Sequence, residues 1–323
     1  MTTQRSSVDL VLEGGGVKGI GLLGAVLVLY EAGYRFERIA GTSAGAIVAA
    51  LVATYQKAGR DLRELQSAMN SCEYHKFKDA TVAGHLTGPL GEGAELMIHE
   101  GMHTGKYLYE WLGGLLAETG ITTFGQLRLE DPDTSLAPYQ RYSLVVNTSD
   151  LSRRCLVRLP WDYPQYGAVA DDQLIIDAVR ASMSFPFFFR PVEFAPAAGG
   201  AVTWVDGGLL SNFPITIFDR TDGRVQRWPT WGIKLSGQPV HNDQPVKTSL
   251  GIALHSLHTL MGDWNQYGLA EEGVNQRTVF VDTAGISTLD FDLTAEQEGL
   301  LFANGKSAAE KFLRQLPPAG VQP

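Results

Sequence analysis

Residues 34 to 57 read Y-R-F-E-R-I-A-G-T-S-A-G-A-I-V-A-A-L-V-A-T-Y-Q-K. Tyr34, Phe36 and then Ile39-Ala40 alternate as a short strand does over Tyr34 to Ala40, and the apolar run from Ala44 to Lys57 has the length of a buried helix halted by Gly59. Between them, G-T-S-A-G (Gly41 to Gly45) is a strand-to-helix turn with one serine at its centre. Two residues before and two after that serine, strand and helix backbones nearly touch, so hydrogen is the fitting substituent at Gly41 and Gly45. Ser43 then exposes its hydroxyl on a tight turn, the form of a nucleophile elbow. It also sits at a helix N-terminus, where free N–H groups and the helix dipole favour developing negative charge. A serine that merely caps a helix after a glycine turn is equally compatible with these five residues.

The preceding segment repeats the pattern. Val8 to Glu13 is apolar enough for a buried strand, G-G-G-V-K-G (Gly14 to Gly19) is a turn, and an apolar helix runs on to about Gly33. Strand–helix alternation with short turns predicts an α/β fold, a mainly parallel central sheet with helices on both faces. Chemistry in such sheets collects at the carboxyl ends of the strands, where both glycine turns lie. Later expected elements are helices over Thr104 to Glu118 (capped by Thr104), Leu174 to Met183, Ser249 to Tyr267 and Ala295 to Leu316, and strands over Tyr142 to Asn147, Cys155 to Leu159, Val202 to Val205 and Thr230 to Leu235. No linker interrupts them. One domain over residues 1–316 is expected, with a disordered tail at 317–323.

Composition narrows the function. With 323 residues, 44% of them hydrophobic, the chain can bury a large core. A formal net charge of −9 repels a phosphate backbone, which argues against nucleic acid as a partner. It equally disfavours simple electrostatic adhesion to an anionic membrane. Two cysteines, Cys72 and Cys155, fit a reducing compartment with free thiols. The N-terminus has no uninterrupted apolar segment after Arg5, and the most apolar runs fall short of the roughly 18 residues of a membrane span, so a cytoplasmic protein is expected.

The first glycine loop has three readings. As G-x-G-x-x-G between strand and helix it matches a dinucleotide turn, with Glu37 near the spacing of a ribose-binding acid. The tip of that second strand, however, is occupied by the serine elbow. As an oxyanion hole, the loop would aim backbone N–H groups of Gly15 and Gly16 at charge developing beside Ser43, with Lys18 adding positive charge. It can also be a plain tight turn. The oxyanion hole ranks first and the dinucleotide reading last. Gly105-Lys106 lacks the spacing of a phosphate-binding loop.

A nucleophilic serine needs a base. His241, His255 and His258 follow in the usual chain order for a triad, but none has a triad-like neighbourhood. W-V-D-G-G-L-L-S-N-F-P places Asp206 at a strand end, although D-G is also a common hairpin turn.

Taken together, Gly14 to Gly19, Gly41 to Gly45 and Asp206 to Gly208, in that order, resemble the patatin-like phospholipase family, whose signature is G-G-G-x-[RK]-G, G-x-S-x-G and a later D-G-[GA]. T-F-G-Q-L (Thr123 to Leu127), A-V-R-A-S-M-S-F-P (Ala178 to Pro186) and L-D-F-D-L (from Leu289) extend the resemblance over nearly the whole chain. The resemblance implies a patatin-like fold, three-layered and related to the α/β-hydrolases. It also implies a catalytic dyad of Ser43 as nucleophile and Asp206 as direct general base, with no histidine. The Gly14, Gly15 and Gly16 loop would form the oxyanion hole, supported by Lys18, Gly19, Gly41, Gly45, Gly207 and Gly208. The implied reaction is lipid acyl-ester hydrolysis of the phospholipase A type, without metal or cofactor. The implied substrate is a phospholipid or other lipid ester, met by transient peripheral contact with a membrane surface. The alternatives are a Ser-Asp-His esterase of small soluble esters and a non-catalytic nucleotide- or lipid-binding module. Phe185, Phe187, Phe188 and Phe189 can line an acyl channel or plug the core, and the core reading is preferred for most of these rings. The stripe Leu254, Leu257, Met261 and Trp264 is read as core-facing rather than membrane-dipping.

Overall fold

A computed structural model describes residues 6–79, 103–130, 136–196, 199–236, 245–246, 248–262 and 273–316. Among them the strands β1 (Ser6–Leu12), β2 (Tyr34–Thr42), β3 (Leu144–Asp150), β4 (Cys155–Leu159), β5 (Val192–Phe194), β6 (Val202–Asp206), β7 (Thr230–Ser236) and β8 (Thr278–Asp282) form one sheet. Its order is β5-β6-β3-β2-β1-β7-β8, with β4 paired on β3. From β3 to β8 the pairing is parallel, while β4, β5 and β6 are antiparallel to their neighbours. The expected mainly parallel α/β sheet is therefore present, with an antiparallel flank.

The helices are α1 (Gly19–Glu31), α2 (Ala44–Lys57), α3 (Glu64–Asn70), α4 (Lys106–Thr119), α5 (Ile175–Ser182), the short α6 (Gly208–Ser211), α7 (Ser249–Gly262) and α8 (Ala295–Gln315). The two crossovers β1-α1-β2 and β2-α2-β3 step in the same direction, so the right-handed rule puts α1 and α2 on one face. They pack on each other there, and α1 lies against α8, which a Thr294–Gln297 capping box starts. α1 is apolar all round because the sheet covers one side and α8 the other. The opposite face is covered by the segment after β6, which lays Phe213 and Ile215 against Gly232 of β7.

Element bounds agree with the expected ones to within a few residues for most elements. Two strands, β5 and β8, and two helices, α3 and the short α6, carried no expectation. The helix expected to start at Thr104 begins at Lys106. There Asp79 accepts from the Lys106 N–H at 2.7 Å and the Thr104 hydroxyl at 2.6 Å, so a carboxylate from outside the helix does most of the capping. The far end of the helix expected over Ser249 to Tyr267 and the tail at 317–323 lie outside the described residues. Cys72 is buried and Cys155 exposed, and both are free thiols.

One feature of the sheet fixes the site. Thr42 at the end of β2 pairs with Asn147, and Asp206 at the end of β6 pairs with Thr148. β4 occupies the other edge of β3 at both positions. β2 and β6 therefore run toward each other along one edge of β3 and stop at adjacent residues, so their carboxyl ends meet.

Candidate active site

Those ends carry Ser43 and Asp206. Ser43 follows β2 and opens α2 with φ 53° and ψ −124°, a left-handed-side conformation rare for a residue with a Cβ. Such a residue costs of order 1–3 kcal/mol and persists only where its surroundings over-determine it. Gly41 and Gly45 supply part of that determination. A Cβ on Gly41 would stand 2.3 Å from the Gly45 carbonyl oxygen, and one on Gly45 would stand 2.4 Å from the Leu12 carbonyl oxygen. Glycine here admits the close approach of β2 and α2 that the sequence suggested, and also brings α2 against the end of β1.

The Ser43 N–H donates to Ser182 Oγ at 2.8 Å, and the Ser43 hydroxyl lies 3.5 Å from Met183 Sδ. Ser43 is 6% exposed and Asp206 is 0% exposed. Asp206 Oδ1 accepts from the Gly208 N–H at 2.8 Å, while Oδ2 is buried without a hydrogen-bond partner among the described residues. Burial pushes the Asp206 carboxyl up to about 7, against the smaller opposing effects of the Gly208 N–H and the nearby Ser43 hydroxyl. A hydroxyl beside a buried carboxyl that titrates near neutrality has a proton acceptor at hand without any imidazole. Gly207 allows the turn, since a Cβ there would meet the Asn147 carbonyl oxygen at 2.3 Å.

The glycine loop stands against the same spot: a Cβ on Gly14 would lie 3.1 Å from Ser43 Cβ. Gly19 likewise brings the start of α1 to Ala44, 3.5 Å from where its Cβ would be. One expected donor is withdrawn. The Gly14 N–H is already given to the Asn212 carbonyl at 3.1 Å, and Asn212 Nδ2 donates back to the Gly14 carbonyl at 3.2 Å. Gly14 is thus a brace between the loop and the chain after Asp206, and it has no N–H left for an oxyanion. The Gly15 and Gly16 N–H groups have no acceptor among the described residues. Gly16 adopts φ +56°, and a Cβ there would come within 2.0 Å of the Thr288 carbonyl oxygen.

Lys18 does not stand out in solvent as a simple positive charge. It is buried beside Glu13, which also accepts from Lys234 and, at 2.6 Å, from the Leu235 N–H. Burial lowers the Lys18 pKa and Lys234 adds to that, while Glu13 opposes both. Glu13 pairs with Lys234, and Lys18 is a second buried basic group whose charge burial opposes. Glu37 lies five residues before the end of β2 and accepts from Ser7 Oγ, away from the loop's tip.

His255 is exposed on α7; His241 and the side chain of His258 lie outside the described residues. Among the described residues there is no cluster of three metal-ligand side chains, and no helix is long and apolar enough to cross a membrane. Phe185 and Phe189 are buried, as the core reading expected. Phe187 and Phe188 are partly buried; Phe188 stacks on Phe291 at 4.6 Å and Phe187 has φ +68°. On α7, Leu257 is buried while Ile252 and Leu260 are exposed; the side chains of Leu254 and Met261, and Trp264, lie outside the described residues.

Ser182, Met183, Asn147 and Asn212 carry no local sequence pattern that marks a role at the site. Ser182 and Met183 fall in the segment A-S-M-S-F-P. Two serines closing a helix just before a proline were the available signal, because serine there can bond to backbone rather than extend the helix.

A family model described as patatin-like phospholipase matches residues 10–219. The uncharacterized protein YqhO of Bacillus subtilis (strain 168) is 33% identical over 310 residues, covering 95% of this chain and 98% of that one. Among solved structures, VipD of Legionella pneumophila superposes with a TM-score of 0.52 at 17% identity, over 97% of this chain and 67% of that one. ExoU, in its complex with SpcU from the type III secretion system of Pseudomonas aeruginosa, gives 0.51 at 17% identity, over 97% of this chain and 52% of that one. At such identities the two structures speak for the fold alone.

Proposed function

Because this chain belongs to the patatin-like phospholipase family, we propose that it is a phospholipase A-type lipid acyl hydrolase working through a Ser43–Asp206 dyad. Ser43 Oγ attacks the ester carbonyl carbon as its proton passes to Asp206. The Gly15 and Gly16 N–H groups receive the oxyanion, with the Lys18 side chain close to Gly15. The tetrahedral species collapses to an acyl-Ser43, and the leaving alcohol takes the proton held by Asp206. Water then attacks the acyl carbon, giving its proton to Asp206, and the acid is released as Ser43 recovers its hydroxyl.

The observation that carries this reading is the strained Ser43 elbow meeting a fully buried Asp206 whose pKa is pushed up to about 7. A base is most effective when its pKa lies near the working pH, and burial supplies that here without histidine. A lipid rather than a small soluble ester is supported by family membership. The enzyme would meet its substrate at a membrane surface without spanning it. Rates compared across esters from acetyl to palmitoyl test the substrate class. A rise toward long chains is expected, and a steady fall would reject a lipid substrate.

A further inference from the structure

We propose that Ser182 is a positioning residue that holds Ser43 in its reactive conformation, a proposal that rests on the dyad reading above. The final turn of α5 touches both members of the pair. Ser182 Oγ accepts from the Ser43 N–H at 2.8 Å and donates to the Asn147 carbonyl at 2.6 Å. One hydroxyl thereby joins the strained elbow to β3 at the position paired with Thr42. Two residues on, the Ser184 carbonyl accepts from the Asp206 N–H at 2.9 Å. Ser182 and Ser184 are both fully buried, so neither link exchanges with water.

The turn is itself pinned. Arg180, buried at the end of α5, donates to Ser184 Oγ at 2.6 Å and to the carbonyls of Thr104 at 2.8 Å and Arg190 at 3.0 Å. Its guanidinium is spent on the Ser184 hydroxyl and two backbone carbonyls. Residues 182–184 therefore act as a jig: a side chain fixes Ser43, a backbone carbonyl fixes Asp206, and Met183 lies against the Ser43 hydroxyl between them. Ser43 pairs a left-handed-side φ with a buried N–H. Without Ser182 Oγ that N–H has no other partner among the described residues.

The test compares Ser182→Ala with the unaltered protein in three readouts: kcat and KM on a chromogenic ester, the rate of phosphonylation by a fluorophosphonate, and the final number of labelled sites per molecule. Misplacing a reacting group by about an ångström can cost on the order of a hundredfold. For Ser182→Ala, kcat and the labelling rate should each fall about 10- to 100-fold. KM should stay within about twofold and labelling should still reach one site per molecule. Ser182→Thr, which keeps the hydroxyl, should recover most of the labelling rate. A fall in activity matched by a fall in labelled sites, with the rate per site unchanged, would overturn the proposal, because Ser182 would then support only folding. An unchanged labelling rate would overturn it too, while leaving the dyad standing if Ser43→Ala is unlabelled. Labelling of Ser43→Ala itself would instead remove the dyad reading.

Discussion

Replacing Asp206 by asparagine should abolish turnover and stabilise the fold at the same time. An ordinary aspartate carboxyl titrates near 3.8, and burial raises Asp206 to about 7 in the folded protein, where it is 0% exposed. Each pKa unit is worth about 1.4 kcal/mol of linkage. Because the folded pKa is the higher one, the protonated side chain favours the fold. That contribution is full below the unfolded pKa and is lost as pH rises from about 4 through about 7. At pH 8 the ionised Asp206 thus burdens the native state by about 4 kcal/mol, whereas at pH 5, where the folded carboxyl is protonated, its proton uptake on folding costs under about 2 kcal/mol. Asparagine is nearly isosteric and neutral, and its amide oxygen can keep the Gly208 N–H bond. For a chain of 323 residues the unfolding entropy is about 0.7 kcal/mol per kelvin, so the gain is at most about 6 °C in Tm at pH 8 and roughly half that at pH 5. Differential scanning fluorimetry at the two pH values, beside an ester-hydrolysis assay, reads both effects. A Tm for Asp206→Asn below that of the unaltered protein at pH 8, or a difference independent of pH, would refute the burial argument. Retained turnover would refute the role of Asp206 as base.

The pH–rate profile should show an acidic limb near pH 7, because the base works only when ionised: about one-tenth of the molecules at pH 6 and about nine-tenths at pH 8. That limb should survive His241→Ala, His255→Ala and His258→Ala; its loss in a variant that stays folded by circular dichroism would point to a Ser-Asp-His enzyme. Gly16→Ala should lower kcat by about a hundredfold or more, since a methyl group cannot fit against the Thr288 carbonyl and the backbone N–H must move. Gly15→Ala should be milder, because its new methyl meets only the flexible end of Leu235; equal kcat for both variants would count against the oxyanion assignment.

The α/β layout was legible from the sequence because β1-α1-β2-α2 is built of local signals: alternating apolar residues, helix-length runs and glycine turns. The antiparallel flank was less so. β5 is three residues long and β8 ends among turn residues, so neither carries enough periodicity to stand out. At the site, the need for glycine at positions 41 and 45 could be read from steric demand, while Ser43 alone was equally compatible with a helix cap. Asp206 could not be read alone either, since an aspartate before glycine is also a plain turn, and only β3 brings it to Ser43. Ser182 lies 139 residues from Ser43 and Asn212 lies 198 from Gly14. Such hydrogen bonds depend on tertiary closure and leave no local pattern. The expectation that Gly14 donates to an oxyanion failed for the same reason, because its acceptor is supplied by the loop after Asp206.

The central claim, that Ser43 is the acylated nucleophile, is tested most directly by treating the protein with a fluorophosphonate, digesting it and locating the added mass by tandem mass spectrometry. The dyad account predicts one modified residue, Ser43, with Ser43→Ala folded, unlabelled and inactive. Modification of any other residue in the active protein, or robust labelling and hydrolysis by Ser43→Ala, would contradict it.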